Sequence, residues 1–449
     1  MTPSLIPDSL KYRFLGLITF ANLAWLSLIV VSLGMLVSSY IDARYSETVS
    51  FFVQDGWCVP QSQGFGSHCF GDFYAPITIA SDINPWASNL NLAYSPVSFA
   101  YFNLISNNFF LGISLKFPLY LNIFLTLLAI SLPGLQSIKQ NLGGFAEAKW
   151  ILTAMLTATP FLALIDRGSN NFLLIPFLYF YVIAIRSQRM RNAFLILVLM
   201  SLWKPQMFIF AFLFLTTFGF KEAIKVSLVT FAAILASFVL YPNGVLTNIS
   251  DWISNSRSYQ TYSPIPGLGN YSFANFVGYI DSVFRLISDD SGAIKNTLIG
   301  SMNSSTVSLI SILFGIFAFG SLYLARNKVS QNYQILATTI FFLLIPGTTF
   351  VYYLALLLVP LIFITRDGEL RGNLPWLRTW AYLTYGLLLF TLVPAWPVSF
   401  RNIGSPLGQI NEQLGVHLLL SHVLLCVLAV LIILDCALAS LPKKVSIIS

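Results

Sequence analysis

The run FLGLITFANLAWLSLIVVSLGML extends from Phe14 to Leu36 and is long and apolar enough to cross a bilayer as a helix. It is longer than the apolar part of a signal peptide, so we interpret it as a first membrane span without a cleavable signal. Similar runs recur along the 449-residue chain, which is 56% hydrophobic and only 9% charged. Soluble domains carry about a quarter charged residues, and the composition therefore predicts an integral membrane protein.

Apolar runs of this kind predict about twelve membrane spans in one all-α polytopic domain over residues 1–449. The candidate spans cover, to within a few residues, 14–38, 117–134, 150–165, 171–185, 192–203, 205–219, 226–241, 305–325, 332–346, 349–365, 379–397 and 415–440. The two runs on either side of Lys204 could also form one broken helix. With twelve spans, every cluster of Lys and Arg falls on one side of a cell membrane, and the positive-inside rule places both termini in the cytoplasm. The net charge of +7 lies in these clusters, so it indicates topology and no nucleic-acid partner.

Two long polar segments fall on the predicted extracytoplasmic side, as its first and fourth loops: residues 39–97 and residues 242–304. Residues 98–115 are aromatic but contain several asparagines, which favours an interfacial helix lying on the membrane. Cys58 and Cys69 share the first loop, and we expect them to be paired because disulfides persist outside the cytoplasm. The three histidines have no metal-ligand spacing, so we expect no metal and no cofactor.

Polar side chains gather near the predicted outer ends of the spans. They are Asp166, Arg167, Asn170, Asn171, Lys204, Tyr271, Ser272, Tyr352 and Tyr353. Ionisable residues at membrane depth are costly, which makes them functional candidates. Arg and Lys suit a phosphate group, and a loop carboxylate can act as a general base on a hydroxyl. The alternatives are an ion pair between Asp166 and Arg167 and an interfacial belt formed by the tyrosines.

The order of short motifs resembles glycosyltransferase family 87, whose members are membrane enzymes of the GT-C type. The resemblance extends over about residues 14–365 and rests on several weak motifs in a shared order. These motifs are GDFY with Asp72 and Tyr74, INPW with Asn84 to Trp86, AYSP with Tyr94 and Pro96, DRGSNN with Gly168 and Asn171, KP with Lys204 and Pro205, NYS with Asn270 to Ser272, and the segment from Pro346 to Tyr353. A histidine that is frequent in the last motif is replaced here by Val351, Tyr352 and Tyr353.

The resemblance implies an inverting transfer of a sugar, with mannose as the first choice, from a polyprenyl-phosphate donor to a hydroxyl group of a glycan or glycolipid acceptor. It implies that Asp72 is the catalytic base, with Asp82 as the strongest rival carboxylate. Within this scheme we expect donor or acceptor contacts from a wider set of residues. They are Tyr74, Asp82, Arg167, Asn170, Asn171, Lys204, Tyr271 and Tyr352.

Three other classes of protein remain open on the sequence. A transporter or lipid flippase predicts symmetric halves and charges at the midplane, whereas the candidate residues here lie at one face. An O-antigen ligase or polymerase predicts a histidine in a late outer loop, and residues 242–304 contain none. A non-catalytic scaffold is the third class.

Overall fold

The structure is a computed structural model that describes part of the chain. It describes residues 70–88, 92–105, 116–139, 159–262, 270–278, 304–347, 349–367, 403–405, 408–410 and 416–440, and the single positions 29, 32, 33, 36, 280, 377, 380 and 384. Most of the first span, most of the span at 379–397, residues 106–115 and the pair Cys58 and Cys69 lie outside these residues. The predictions made for them stay predictions.

The described chain is helical apart from one short hairpin. Its helices are α1 (Gly71–Ile79), α2 (Pro96–Asn103), α3 (Lys116–Lys139), α4 (Thr159–Arg167), α5 (Leu174–Arg186), α6 (Met190–Trp203), α7 (Ala211–Phe218), α8 (Phe220–Ser237), α9 (Val245–Tyr262), α10 (Ser304–Ala325), α11 (Gln331–Leu344), α12 (Leu358–Asp367) and α13 (Val416–Ser440). Short 3₁₀ turns cover Pro85–Ala87, Asn170–Leu173, Pro205–Phe210, Phe238–Leu240 and Val351–Leu357. Strands β1 (Ile403–Ser405) and β2 (Gly408–Ile410) pair antiparallel, with Gly404 opposite Gln409.

Three helical stretches are long and apolar enough to cross a membrane: Phe220–Leu240, Ser308–Ala325 and Leu420–Ser440. They indicate a multi-pass membrane protein, and each coincides with a run predicted from the sequence. Shorter apolar helices of 10–17 residues occupy other predicted runs, including Asn170–Arg186 and Met190–Trp203. The total of about twelve spans remains a prediction.

Helix α11 lies at the centre of the described bundle. Every residue from Asn332 to Leu344 is buried, and α11 packs against α10, α12 and α13. By contrast, α8 and α10 expose large apolar side chains along one face, such as Leu228 and Phe317. A helix that is apolar and buried on all sides belongs in the interior, whereas an exposed apolar face is expected where a helix meets lipid.

The helices place basic and polar residues at opposite ends of the bundle. Arg186 ends α5 and Arg189 precedes α6, whereas Lys204 lies at the far end of α6. Lys328, in the turn between α10 and α11, donates a hydrogen bond to the carbonyl of Ala439 near the end of α13. The guanidinium of Arg186 lies 4.8 Å from the ring centroid of Phe363 in α12. We call this the basic end, and the opposite end, which contains Lys204, the site end.

Both long polar segments contain helices, which the hydrophobic pattern did not predict. Helix α1 lies in the first segment, and α9 in the second packs against the 3₁₀ turn Pro85–Ala87. The amide of Asn84 donates to Oδ2 of Asp251 at 2.6 Å, and the amide of Asn255 donates to the carbonyl of Trp86 at 2.8 Å. The two segments are therefore joined at the site end by polar contacts, one half-buried and one buried.

Candidate functional site

A cavity of about 490 Å³ lies at the site end of the bundle. Its walls come from α1, α9, α10 and the loops and 3₁₀ turns around them, and they include Asp72, Tyr94, Asn171, Lys204, Tyr352 and Tyr353. The volume is in the range of sites for small molecules, roughly 300–1,000 Å³. Residues far apart in sequence thus line one space that can hold a ligand.

The cavity brings together part of the set predicted from the sequence. Asp72, Asn171, Lys204 and Tyr352 line it. The other five predicted residues are not among its lining residues, and they are Tyr74, Asp82, Arg167, Asn170 and Tyr271. Of these, Tyr74 and Asp82 are exposed, and Arg167 is half-buried at the end of α4. The structure therefore separates the two rival carboxylates, because Asp72 faces the cavity and Asp82 does not.

Lys204 owes its position to the proline that follows it. Pro205 disfavours helical geometry in the residue before it, and Lys204 is extended, with φ −140° and ψ 104°. Helix α6 ends at Trp203, whose carbonyl accepts hydrogen bonds of 2.8 Å from the hydroxyls of both Ser95 and Ser98. These two bonds satisfy the carbonyl that is left free at the end of α6, and they fix the backbone from which the lysine side chain extends.

The ammonium group of Lys204 lies between aromatic rings. Its Nζ is 5.3 Å from the ring centroid of Tyr353 and 6.0 Å from that of Tyr94, within the range of cation–π attraction. In the described part of the chain Lys204 forms no ion pair, unlike Lys225, which pairs with Glu222. Burial lowers the pKa of Lys204 from 10.5 to about 8, and the negative charge of Asp72 partly opposes this shift. A partly desolvated cation without a carboxylate contact is well suited to an anionic ligand.

Asp72 lies in the first turn of α1, where the helix dipole favours a negative charge. Its side chain is half-buried and lines the cavity. The hydroxyl of Tyr94 donates to the backbone carbonyl of Asp72 at 3.4 Å. Tyr94 therefore contacts the segment of Asp72 through its hydroxyl group and Lys204 through its ring, which links the two charged residues of the cavity.

The segment from Gly168 to Asn171 connects α4 to the cavity wall. The hydroxyl of Ser169 accepts a hydrogen bond of 2.7 Å from the amide of Asn171. The carbonyl of Asn170 accepts one of 3.0 Å from the indole of Trp203. The side chain of Asn170 is buried with both polar atoms unpartnered among the described residues. Asn171 thus lines the cavity, and Asn170 contacts the residue before Lys204 through its backbone.

Gly168 makes a close contact that supports α1. It has φ +61°, and a Cβ at this position would lie 2.8 Å from Cβ of Phe73. We expect Gly168→Ala to cost about 1–2 kcal/mol of backbone strain and, through the clash, to displace α1 and lower the turnover of folded protein. Gly219→Ala is the matched control, because Gly219 also has a positive φ but its Cβ would meet nothing within 4 Å. Thermal unfolding and activity per folded molecule would be measured for both; equal losses of activity would contradict the role of this contact.

The segment Asn270–Ser272 holds another part of the wall in place. The amide of Asn270 donates to the carbonyl of Gly347 at 3.1 Å, and its Oδ1 accepts from the backbone N–H of Thr349 at 3.0 Å. Tyr271 is buried behind this wall, and its hydroxyl is 2.8 Å from Oγ of Ser421 in α13. These contacts indicate that the segment fastens the loop between α11 and the 3₁₀ turn Val351–Leu357, which lines the cavity.

Several lining residues were not expected from the sequence. Trp252 and Ser256 come from α9, and Ser308, Ser311 and Ile312 come from α10. A serine or tryptophan in an apolar or mixed helix gives no signal of its own, so only the packing of α9 and α10 shows that these residues reach the cavity.

Comparisons with protein-family models, with curated proteins and with solved structures found no match to this chain. Within the described ranges, no group of three or more His, Cys, Asp and Glu side chains could hold a metal ion. The candidate site is therefore defined by the cavity, its two opposite charges and the aromatic rings around the lysine.

Proposed function

We propose that the chain is a membrane glycosyltransferase that transfers a sugar from a polyprenyl-phosphate donor to a hydroxyl group of a glycan or glycolipid. One observation carries this proposal: Asp72 and Lys204 line the same cavity, which is also walled by tyrosines and by the amide of Asn171. A carboxylate and a lysine in one cavity supply a proton acceptor and a phosphate ligand. The transfer of a sugar from a lipid phosphate needs both.

The chemistry follows from the charges. Asp72 accepts the proton of the acceptor hydroxyl while the oxygen of that hydroxyl attacks the anomeric carbon of the sugar. The bond between that carbon and the phosphate oxygen breaks, and polyprenyl phosphate leaves with the bonding electron pair. The ammonium of Lys204 stabilises the negative charge that develops on this phosphate. Attack on the side opposite the leaving group inverts the anomeric centre.

The assignment of the donor phosphate rests on Lys204 alone. Arg167 was expected to share this role, but it is not among the cavity-lining residues. Ring contacts with Tyr94 and Tyr353 hold the ammonium in place while leaving its N–H donors available.

The proposal includes the predicted topology of about twelve spans, with both termini in the cytoplasm and the cavity on the extracytoplasmic side. The arrangement of charges supports it, because Arg186, Arg189 and Lys328 lie at the basic end and the cavity lies at the site end. Basic residues concentrate on the cytoplasmic side of membrane proteins. An outer site also suits a lipid-linked donor, since nucleotide-activated sugars are made in the cytoplasm.

Purified protein in proteoliposomes provides the test of this function. Polyprenyl-phosphate mannose and its arabinofuranose counterpart would be supplied with a glycolipid and glycan extract, and the products analysed by mass spectrometry. We expect transfer of the sugar and release of polyprenyl phosphate from a lipid-linked donor. A nucleotide-activated sugar is the control donor. Transfer only from the nucleotide-activated sugar would contradict the proposal, and so would the absence of transfer from every lipid-linked donor.

A further inference from the structure

Helix α10 differs from the other two long apolar stretches in its relation to the cavity. Its residues Ser308, Ser311 and Ile312 line the cavity, whereas Phe220–Leu240 and Leu420–Ser440 contribute no described lining residue. Ile312 is also 59% exposed, and it lies within one turn of Leu309 and Leu313, which are exposed but do not line the cavity. A helix that carries lining residues and exposed apolar residues within one turn marks a place where the cavity can open toward the surroundings of a membrane-spanning helix.

The exposed face of α10 continues this opening as an apolar stripe. Its members repeat at three- and four-residue spacing, so they lie along one side of the helix. They are Leu309, Ile312, Leu313, Ile316, Phe317 and Leu324, each between 47% and 67% exposed. From Leu309 to Leu324 the stripe is roughly 22 Å long, at 1.5 Å per residue. It leads from the cavity toward the basic end without a charged side chain.

Ser311 provides a second and independent sign of an occupant. It is 9% exposed, it lines the cavity, and its hydroxyl has no hydrogen-bond partner in the described chain. A buried hydroxyl without a partner is costly, and an acceptor oxygen that reached it from the cavity would satisfy it. Ser311 and Lys204 line the same cavity, so a donor without a partner and a cation belong to one wall.

From these observations we infer that α10 forms a lateral entrance through which a lipid phosphate reaches the cavity, with its polyprenyl chain on the Leu309–Leu324 stripe. The phosphate lies inside, near Lys204 and Ser311, and Ile312 is the point where the chain leaves the cavity. The inference rests on the proposed function for the identity of the lipid, and it adds the route of entry and the surface that binds the chain.

Photolabelling tests where the lipid chain lies. Polyprenyl phosphate carrying a photoreactive group in its chain would be added to the full-length protein in nanodiscs, and labelled residues mapped by mass spectrometry. We expect labels on residues 309–317 that unlabelled polyprenyl phosphate displaces and that Lys204→Gln reduces. Phosphatidic acid with the same photoreactive group is the comparison lipid, and we expect its labels to resist displacement by polyprenyl phosphate.

Each other outcome has a distinct meaning. Labels spread equally over α8 and α10 without displacement would show ordinary bilayer contact and overturn the inference. Displaceable labels confined to another helix would overturn the entrance while leaving the proposed function in place. If the phosphatidic acid probe labelled residues 309–317 as strongly as the polyprenyl phosphate probe, and polyprenyl phosphate displaced both labels equally, the assignment of the stripe to a polyprenyl chain would be overturned. No displaceable label anywhere would overturn both the entrance and the proposed donor.

A pair of variants provides a second measurement. Ile312→Trp narrows the proposed opening, and Leu228→Trp places the same bulk on the exposed face of α8, away from the cavity. We expect Ile312→Trp to raise the KM for a long-chain donor about tenfold, because the bulkier ring obstructs the opening and keeps part of the chain from packing on the stripe. A donor with a short prenyl chain should be affected less than the long-chain donor in Ile312→Trp, and Leu228→Trp should affect neither donor. An unchanged KM for the long-chain donor in Ile312→Trp would contradict the entrance.

Discussion

Asp72→Asn is expected to lower the turnover of sugar transfer by about a hundredfold to ten-thousandfold, which is the usual contribution of a general base. The amide keeps the shape of the carboxylate but cannot accept the proton of the acceptor hydroxyl. At a pH low enough to keep Lys204 protonated in the variant, donor affinity should stay the same or rise, because removal of a negative charge from the cavity reduces its repulsion of the donor phosphate. Single-turnover kinetics, together with donor binding measured separately, would show this division between kcat and affinity.

Asp82→Asn is the informative comparison, because Asp82 was the rival base on the sequence. Asp82 is exposed and is not among the cavity-lining residues. Substitutions at exposed positions of this kind change free energies by about 0.5 kcal/mol or less, so we expect activity within about threefold of the unchanged protein. Loss of turnover in Asp82→Asn with normal turnover in Asp72→Asn would reverse the assignment of the base.

Lys204→Gln is expected to weaken the binding of polyprenyl phosphate by about ten- to a hundredfold, since hydrogen bonds to charged groups contribute about 1.5–3 kcal/mol. Lys225→Gln is the matched control. Lys225 is 59% exposed in α8 and pairs with Glu222 at 2.8 Å, away from the cavity. Isothermal titration with polyprenyl phosphate would measure both, and equal losses would show a general effect of charge.

The pH dependence of the same binding provides a sharper readout. Burial lowers the pKa of Lys204 to about 8, so the ammonium is present below that pH and is lost above it. Phosphate affinity should therefore be full below pH 8 and should fall as the pH rises through 8. Lys204→Arg should abolish this fall while retaining affinity, because arginine stays charged. In Asp72→Asn the fall should move to lower pH, since the charge that opposes the lowered pKa is gone.

The helices of the bundle were predictable where the sequence is continuously apolar. The runs at 305–325 and 415–440 correspond to α10 and α13 because burial in lipid requires an uninterrupted apolar surface. Helix α9 was placed in a loop, since its sequence VLTNISDWISNSRSYQTY is mixed and partly polar. Its stability comes from contacts with the turn around Trp86, such as the hydrogen bond from the amide of Asn255 to the carbonyl of Trp86. These two residues are 169 positions apart, so the contact leaves no local pattern in the sequence.

The candidate site was predictable where a residue conflicts with its surroundings. Lys204 stands alone in a long apolar stretch, and Asn171 follows a turn between two apolar runs, so both attract attention in the sequence. Tyr94 and Ser311 do not conflict with their neighbours, and only packing reveals that one lies beside Lys204 and the other faces the cavity. Arg167 shows the reverse case, because a cation next to a predicted site need not face it.

The rings beside Lys204 come from parts of the chain that are synthesised at different times. Tyr94 precedes Lys204, whereas Tyr353 follows it by more than a hundred residues. During insertion from the N-terminus, the ammonium has one aromatic neighbour until the segment containing Tyr353 packs beside it. We therefore expect water to leave Lys204 only as the last third of the chain assembles, so that a nascent chain ending before Tyr353 would carry the lysine but not its dehydrated environment.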